Sequence, residues 1–162
     1  MRGPAAKPQI GISDLNREAV VKVLNAVLSD EYVVYTKTRK YHWNVTGTQF
    51  NDLHKFFESQ YEALDEAVDE VAERARALGG EAFGTLTEFL KHTSLREQPG
   101  ENPSASGMVA DLLQGHEAII ASLREALESC AEDYGDLGTS DFLTGLMEKH
   151  EKMAWMLRAM KE

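Results

Sequence analysis

The sequence predicts an all-α protein in which four long helices pack into one bundle. Apolar residues recur at intervals of three and four over long stretches, and glycine and proline are concentrated between those stretches. No segment shows the alternation of apolar and polar residues that is typical of a strand. With 162 residues, 43% of them hydrophobic, the chain is long enough for one domain with its own core.

The first helix is expected to follow a short tail. Residues 1–12 show no periodicity and are predicted to be flexible, ahead of a bundle formed by residues 13–162. Ser13 is expected to cap a helix that runs from Asp14 to Asn44, because a serine hydroxyl accepts a hydrogen bond from the free N–H groups at a helix start. Gly47 then ends this helix and begins a turn.

The second helix is predicted to start at a cap formed by Asn51 and to reach Leu78. The glycines at positions 79–80 provide the left-handed backbone that commonly stops a helix. A short helix from Thr85 to about His92 is expected next, inside a long crossover.

The second half of the bundle begins after residues 93–107, which are rich in serine, proline and glycine and are predicted to form a loop. Ser106 is expected to cap a third helix that ends near Glu132, and the segment EDYGDLG is predicted to be a turn. Ser140 is expected to cap the fourth helix. Short first and third connections around a long middle crossover are typical of a ferritin-like four-helix bundle.

Composition narrows the possible functions. The formal net charge is −10, and such a protein repels nucleic-acid phosphates unless it carries a separate basic patch. Cys130 is the one cysteine, so an intramolecular disulfide is impossible and a reducing, cytoplasmic location is expected. No apolar run approaches membrane-spanning length, and the N-terminus lacks the apolar core of a signal peptide.

One flank of the second helix concentrates metal-ligand side chains. A helix advances about 100° per residue, which places one histidine and five carboxylates beside the apolar stripe that contains Phe57. These residues are His54, Glu58, Glu62, Asp65, Asp69 and Glu73. Imidazole and carboxylate ligands suit iron or zinc.

A second copy of the chain is needed to complete such a site. His54 and Asp69 are 15 residues apart in the sequence, and a rise of 1.5 Å per residue separates them by ~22 Å. If two copies cross antiparallel on a two-fold axis near residues 62–63, His54 of one faces Asp69 and Glu73 of the other. His42 joins His54 because the turn returns the chain to the same end. The alternative is that both histidines only hydrogen-bond across the turn and the carboxylates are solvated.

These residues also resemble a known family. Residues 41–80, which read YHWNVTGTQFNDLHKFFESQYEALDEAVDEVAERARALGG, are similar to the signature of the Dps family of mini-ferritins. The later segments TLTEFL and GDLGTSDFL…HEKMAWMLRA are similar to the same family, so the resemblance covers the chain after its tail. It implies a homododecameric hollow shell of four-helix subunits, with ferroxidase centres at two-fold interfaces.

The resemblance assigns roles by motif position. His42 and His54 match the histidine ligands of the family, and Asp69 and Glu73 match carboxylate ligands that the neighbouring subunit provides. Glu58 matches a further acid near the metals, and Trp43 matches the tryptophan beside the centre. An acidic cluster resembles the lining of the three-fold entry pores of the family: Glu132, Asp133, Asp136 and Asp141. The alternative for each of these four is a solvated turn, with Asp141 at the positive end of the fourth helix.

The function implied is oxidation of Fe(II), preferably by hydrogen peroxide, with ferric mineral stored inside the shell and protection against oxidative damage. Two alternatives stay open: a DNA-compacting protein, and a bundle whose site holds zinc and has little ferroxidase activity. DNA binding is expected to be weak or absent, because the tail carries only Arg2 and Lys7. His116 and His150 lie on apolar stripes and are expected to be hydrogen-bonded core residues, while Glu31 receives no role.

Overall fold

The computed structural model describes residues 7–161 and confirms the all-helical prediction. Its five helices are α1 (Asp14–Asn44), α2 (Phe50–Ala77), α3 (Leu86–His92), α4 (Ala105–Glu132) and α5 (Leu137–Ala159), and residues 7–161 contain no strand. The tail predicted for residues 1–12 lies partly outside this range. Within the described chain, no helix has the length and apolar character required to cross a membrane.

The bundle consists of two antiparallel hairpins, with α1 packed along α2 and α4 packed along α5. The short helix α3 lies in the crossover and packs against α1. The core is built mainly from leucine, valine and phenylalanine side chains with almost no exposure, such as Leu24, Phe57, Leu64 and Leu112. Burial of these side chains is the main stabilising contribution to the fold.

The start of α1 agrees with the prediction from the sequence, whereas the start of α2 differs from it. Ser13 accepts a hydrogen bond from the Asn16 N–H at 3.1 Å, as expected of a helix cap. Asn51 was expected to cap α2, but that prediction is wrong, because the helix begins at Phe50. The Phe50 N–H already donates to the Gly47 carbonyl at 3.1 Å, so helical hydrogen bonding begins before Asn51.

The starts of α4 and α5 also differ from the predicted positions. Ser104, rather than Ser106, caps α4 by accepting from the Gly107 N–H at 3.2 Å. Asp136, rather than Ser140, caps α5. The predicted turn is shorter than expected because Gly135 reverses the chain with φ of +66°, which only glycine adopts without strain.

Candidate metal centre

His42 and His54 face each other across the turn that joins α1 to α2. His42 lies in the last turn of α1 and is buried, and His54 lies in the second turn of α2 and is half-buried. The two imidazole rings stack with centroids 3.8 Å apart and an interplanar angle of 17°. The short turn through Gly47, whose φ is +112°, is what returns the chain to this end of the bundle.

Reciprocal hydrogen bonds fix the orientation and tautomer of both rings. Nδ1 of His42 lies 2.7 Å from the carbonyl oxygen of His54, and Nδ1 of His54 lies 2.8 Å from the carbonyl oxygen of His42. A carbonyl oxygen only accepts, so each Nδ1 carries the proton and donates it. Each neutral ring then has its lone pair on Nε2, and neither Nε2 has a hydrogen-bond partner within residues 7–161. This arrangement is typical of histidines that bind a metal ion.

Aromatic rings enclose the histidine pair on two sides. The Phe50 ring stacks on His54 with centroids 5.1 Å apart, and the Tyr61 ring meets His42 edge-on at 5.2 Å. The Tyr61 hydroxyl donates to Glu58 at 3.4 Å. Burial, and then the negative charge of Glu58, raise the pKa of Tyr61 above its ordinary value. Glu58 is therefore linked to His42 through Tyr61, and its role near a metal stays a prediction.

Arg39 connects this aromatic shell to Trp43. Its guanidinium carbon lies 4.6 Å from the ring centroid of Tyr61 and 5.4 Å from that of Trp43, within the range of cation–π attraction. Arg39 also donates to the Tyr35 hydroxyl at 2.7 Å. Arg39 was not predicted from the sequence, although its spacing of four residues from Tyr35 and from Trp43 places all three on one helix face.

The predicted carboxylate ligands lie far along the same helix. Asp69 and Glu73 are exposed and lie in the C-terminal half of α2. In residues 7–161, no three histidine, cysteine, aspartate or glutamate side chains are arranged to hold a metal ion within one chain. The structure therefore brings His42 and His54 together but does not bring Asp69 and Glu73 to them. Assembly of the four residues stays a prediction that needs a second copy.

The predicted pore residues divide into two groups. Glu132, Asp133 and Asp141 are exposed near the turn between α4 and α5. Asp136 is only 3% exposed and accepts hydrogen bonds from the Thr139 N–H and hydroxyl, at 2.9 and 2.5 Å. It also pairs with Arg74 at 3.4 Å. Because its oxygens are engaged in capping α5, Asp136 is not available to attract cations, and a pore lining would rest on the other three.

Comparison with known protein sequences finds one matching domain family and several similar proteins. Residues 21–162 match the model of the ferritin-like domain. A low-temperature-induced protein of Nostoc sp. is 48% identical over 153 residues, which cover 94% of this chain and 86% of the relative. DNA protection during starvation protein 2 of Bacillus anthracis is 40% identical over 141 residues, with 86% of this chain and 94% of the relative covered.

Solved structures show the same relationship. The Dps protein of Vibrio cholerae O1, described as a member of a broad superfamily of ferritin-like diiron-carboxylate proteins, superposes with a TM-score of 0.90 at 30% identity. That alignment covers 99% of this chain and 100% of the other. Dps of Staphylococcus aureus superposes with a TM-score of 0.84 at 36% identity, over 90% and 96% of the two chains.

Proposed function

Since this chain belongs to the ferritin-like family and is a relative of the Dps proteins, we propose that it is a ferroxidase that stores iron. Its substrate is Fe(II), which it oxidises with hydrogen peroxide at centres shared between two subunits. The ferric product is stored inside a homododecameric shell, and consumption of iron and peroxide together protects the cell from oxidative damage. Zinc is a competing occupant of the same ligands.

The observation that carries this proposal is the state of the two histidines. Both Nδ1 atoms are committed to backbone carbonyl oxygens, so both Nε2 lone pairs are oriented and free. Side chains held in this way bind a metal ion without losing further conformational freedom. Carboxylates are harder ligands than imidazoles, so their addition favours Fe(III), the harder ion. Asp69 and Glu73 of a second subunit would provide those carboxylates.

Each residue has a distinct task in the proposed reaction. His42 and His54 hold Fe(II) through Nε2, and the carboxylates of the partner subunit offset the positive charge that increases on oxidation. Glu58 lies one turn after His54 and accepts a hydrogen bond from Tyr61, so it is positioned to take up a proton from bound water. Two Fe(II) ions together supply two electrons, and water that hydrolyses on the ferric product supplies two protons, so that one hydrogen peroxide is reduced to two water molecules and no hydroxyl radical is released. Trp43, which is 64% exposed beside Arg39, is placed to donate an electron to a stray oxidant.

The first experiment measures ferroxidase activity. The protein is loaded anaerobically with Fe(II), hydrogen peroxide is added, and Fe(III) absorbance is followed in wild type, His54→Ala and Asp69→Ala. We expect fast oxidation in wild type with about one peroxide consumed per two Fe(II), and a rate at least about tenfold lower in both variants. Glu66→Ala is the matched control, because it removes an exposed carboxylate of α2 that has no assigned role. Equal rates in all four proteins would show that His54 and Asp69 are structural.

A mixing experiment tests whether the centre is shared between subunits. His54→Ala and Asp69→Ala chains are denatured, combined and refolded together. In a mixed pair one of the two sites regains an intact His54 and an intact Asp69, so random pairing restores about a quarter of wild-type sites. Recovered activity supports the shared site. If each variant is inactive and the mixture gains nothing, the ligands belong to one chain or to different sites.

A further inference from the structure

A groove lies between α2 and α5, along residues 59–67 of α2 and residues 146–156 of α5. α2 packs mainly along α1, and α5 packs mainly along α4, so the two helices that border the groove meet each other loosely. The cavity between them has a volume of about 400 Å³, which lies within the range of about 300–1,000 Å³ that is typical of small-molecule sites. None of the residues proposed to bind iron lines this cavity.

The walls of the groove are mostly apolar. Ala63 and Ala67 lie four residues apart on α2, and their small side chains leave the space open. Leu146, Met153 and Met156 form the α5 side. Methionine side chains adapt to the shape of a bound group, and their sulfur atoms make favourable contacts with aromatic rings. The groove is therefore suited to an aromatic ring.

One buried polar side chain interrupts these apolar walls. Gln60 lines the cavity and is only 3% exposed. Its Nε2 donates to the Met153 carbonyl oxygen over a long distance of 3.4 Å, and its Oε1 has no hydrogen-bond partner within residues 7–161. Buried polar atoms without partners are rare in folded proteins and call for an explanation.

The missing partner of Gln60 is a hydrogen-bond donor. The last torsion of a glutamine side chain has a broad energy profile, so the amide can turn Oε1 toward the cavity and give up only one long hydrogen bond. A hydroxyl group is the donor that fits best, because it carries no charge. An ammonium group would have to leave water to reach the same atom, at a much larger cost.

The rim of the groove carries the charges that select the rest of the ligand. Lys149 and Lys152 stand on the α5 side of the rim, and Glu66 stands on the α2 side. Lys149 pairs with Glu70 at 2.8 Å, whereas Lys152 is exposed and forms no ion pair in the described part of the chain. An anionic group at the α5 side would be attracted by Lys152, and the same group at the α2 side would be repelled by Glu66.

We propose that the groove binds a small aromatic carboxylic acid that carries a hydroxyl group on its ring. The hydroxyl donates to Oε1 of Gln60, the ring packs between Ala63 and Met153, and the carboxylate pairs with Lys152. A phenol has a pKa of about 10 and a carboxylic acid a pKa of about 4, so near pH 7 the hydroxyl is neutral and the acid is ionised, as the groove requires.

The groove and the proposed iron centre lie on opposite flanks of α2. With Phe57 as the reference and ~100° per residue, Gln60 and Ala63 lie about 60° and 120° to one side. His54 and Asp69 lie about 60° and 120° to the other side. Two copies that meet over the flank with the iron ligands therefore leave the groove open, and binding in the groove does not depend on iron.

The first test compares ligands by calorimetric titration of the assembled, full-length protein at pH 7.5. We expect para-hydroxyphenylacetate to bind saturably, with one molecule per chain. Phenylacetate lacks the hydroxyl and should bind at least about tenfold more weakly, because Oε1 of Gln60 then stays unpaired. Equal affinities for the two acids would overturn the proposal. So would the absence of saturable binding, which would show that a neighbouring copy or the side chains themselves close the groove.

The second test uses variants to locate the site. Gln60→Leu removes the acceptor, and Ala63→Leu fills the cavity from an exposed position, so each should lower the affinity for para-hydroxyphenylacetate at least about tenfold. Lys152→Gln should weaken the binding of this acid but not that of para-cresol, which has the hydroxyl and no carboxylate. Ala121→Leu and Lys22→Gln are matched controls at exposed positions of α4 and α1, and should bind as wild type does.

The fold of each variant is verified by thermal unfolding. Replacement of a buried polar group by an apolar one of similar shape is often nearly neutral, and Ala63→Leu changes an exposed residue, so at least one of the two groove variants is expected to fold as wild type does. Unchanged affinity in a folded Gln60→Leu or Ala63→Leu protein would place the binding outside the groove and overturn the proposal.

Discussion

Cys130 is a fully buried side chain at the end of α4 that is expected to be chemically inert. Burial first, and then the negative charge of Asp136, raise the pKa of its thiol to about 11. The thiolate is the reactive form, so at pH 8 alkylation by iodoacetamide should be at least about 100-fold slower in the native protein than in denatured protein. Mass spectrometry over time measures both rates. Similar rates in the two states would show that the end of α4 opens readily.

His116 should make the stability of the protein sensitive to mild acid. Its pKa in the folded state is depressed by burial, whereas in the unfolded chain an imidazole titrates near 6.5. The unfolded state therefore binds more protons as the pH falls below 6.5, and the free energy of unfolding decreases by up to about 1.4 kcal/mol per pH unit from this residue. Denaturant titrations at pH 7.5 and 5.5 measure the loss.

The variant His116→Leu lacks this titration and should show a correspondingly smaller loss between the two pH values. His92→Ala is the control, because it removes an exposed histidine of α3 instead of a buried one, and it is compared with wild type at the same two pH values. If His116→Leu loses as much stability as wild type, the acid sensitivity arises from other groups.

Some features of the His42–His54 pair could be predicted from the sequence, and others could not. The positions of His42 and His54 around one turn predicted that the rings meet, and the structure places their centroids 3.8 Å apart. The free nitrogen of each ring could not be predicted, because it depends on where two backbone carbonyls point after the chain reverses. The contacts of Arg39 could have been predicted, because it lies four residues from both Tyr35 and Trp43 and therefore on the same helix face.

At the scale of elements, the start of α5 depends on Asp136. Its carboxylate accepts from the Thr139 N–H and hydroxyl and pairs with Arg74. Asp136→Ala should reduce the free energy of unfolding by about 2–4 kcal/mol, because it removes a helix cap and leaves buried partners unsatisfied. Chemical denaturation measures the change. Asp141→Ala, an exposed acid in the same helix, should have almost no effect, and equal losses in the two variants would contradict a specific cap.

Helix starts were predictable to different degrees. The start of α1 agrees with the sequence: Gly11, with φ of +80°, turns the chain two residues before Ser13, and the Ser13 side chain accepts from the Asn16 N–H. At α4 two serines compete, and Ser104 caps the helix directly after Pro103, whose ring fixes the backbone ahead of it. At α5 both Asp136 and Ser140 are good caps, and the sharp reversal at Gly135 selects the earlier one.

For the whole molecule, charge predicts weak contact with DNA. The net charge is −10 per chain, and the basic residues before Ser13 are Arg2 and Lys7. Lys7 is already paired with Asp14. Few phosphates can be neutralised, so we expect no retardation of plasmid DNA near pH 7 in about 150 mM salt, and at most weak retardation at low salt. Retardation at low salt that is lost on deleting residues 1–12 would show that the tail binds DNA.

The fold could be predicted from one chain, but the assembly of chains could not. The sequence predicted a four-helix bundle with a short helix in the crossover, and the described residues show it. The candidate centre is different, because one chain holds the histidines at one end of α2 and the acids near the other. Because the proposed ligands lie far apart on one helix, a complete site requires a second copy of the chain. The symmetry of the shell depends on the surfaces through which copies contact one another, and a single chain does not define them.

The exposed indole of Trp43 gives the proposed centre an optical reporter. It directly follows His42 in the sequence, and Trp155 on α5 is the other tryptophan of the chain. A paramagnetic ion at His42 would quench the emission of an indole so close to it, whereas a diamagnetic ion such as Zn(II) would not. Fluorescence of a Trp155→Phe protein would therefore follow the arrival of iron in real time, without any attached dye.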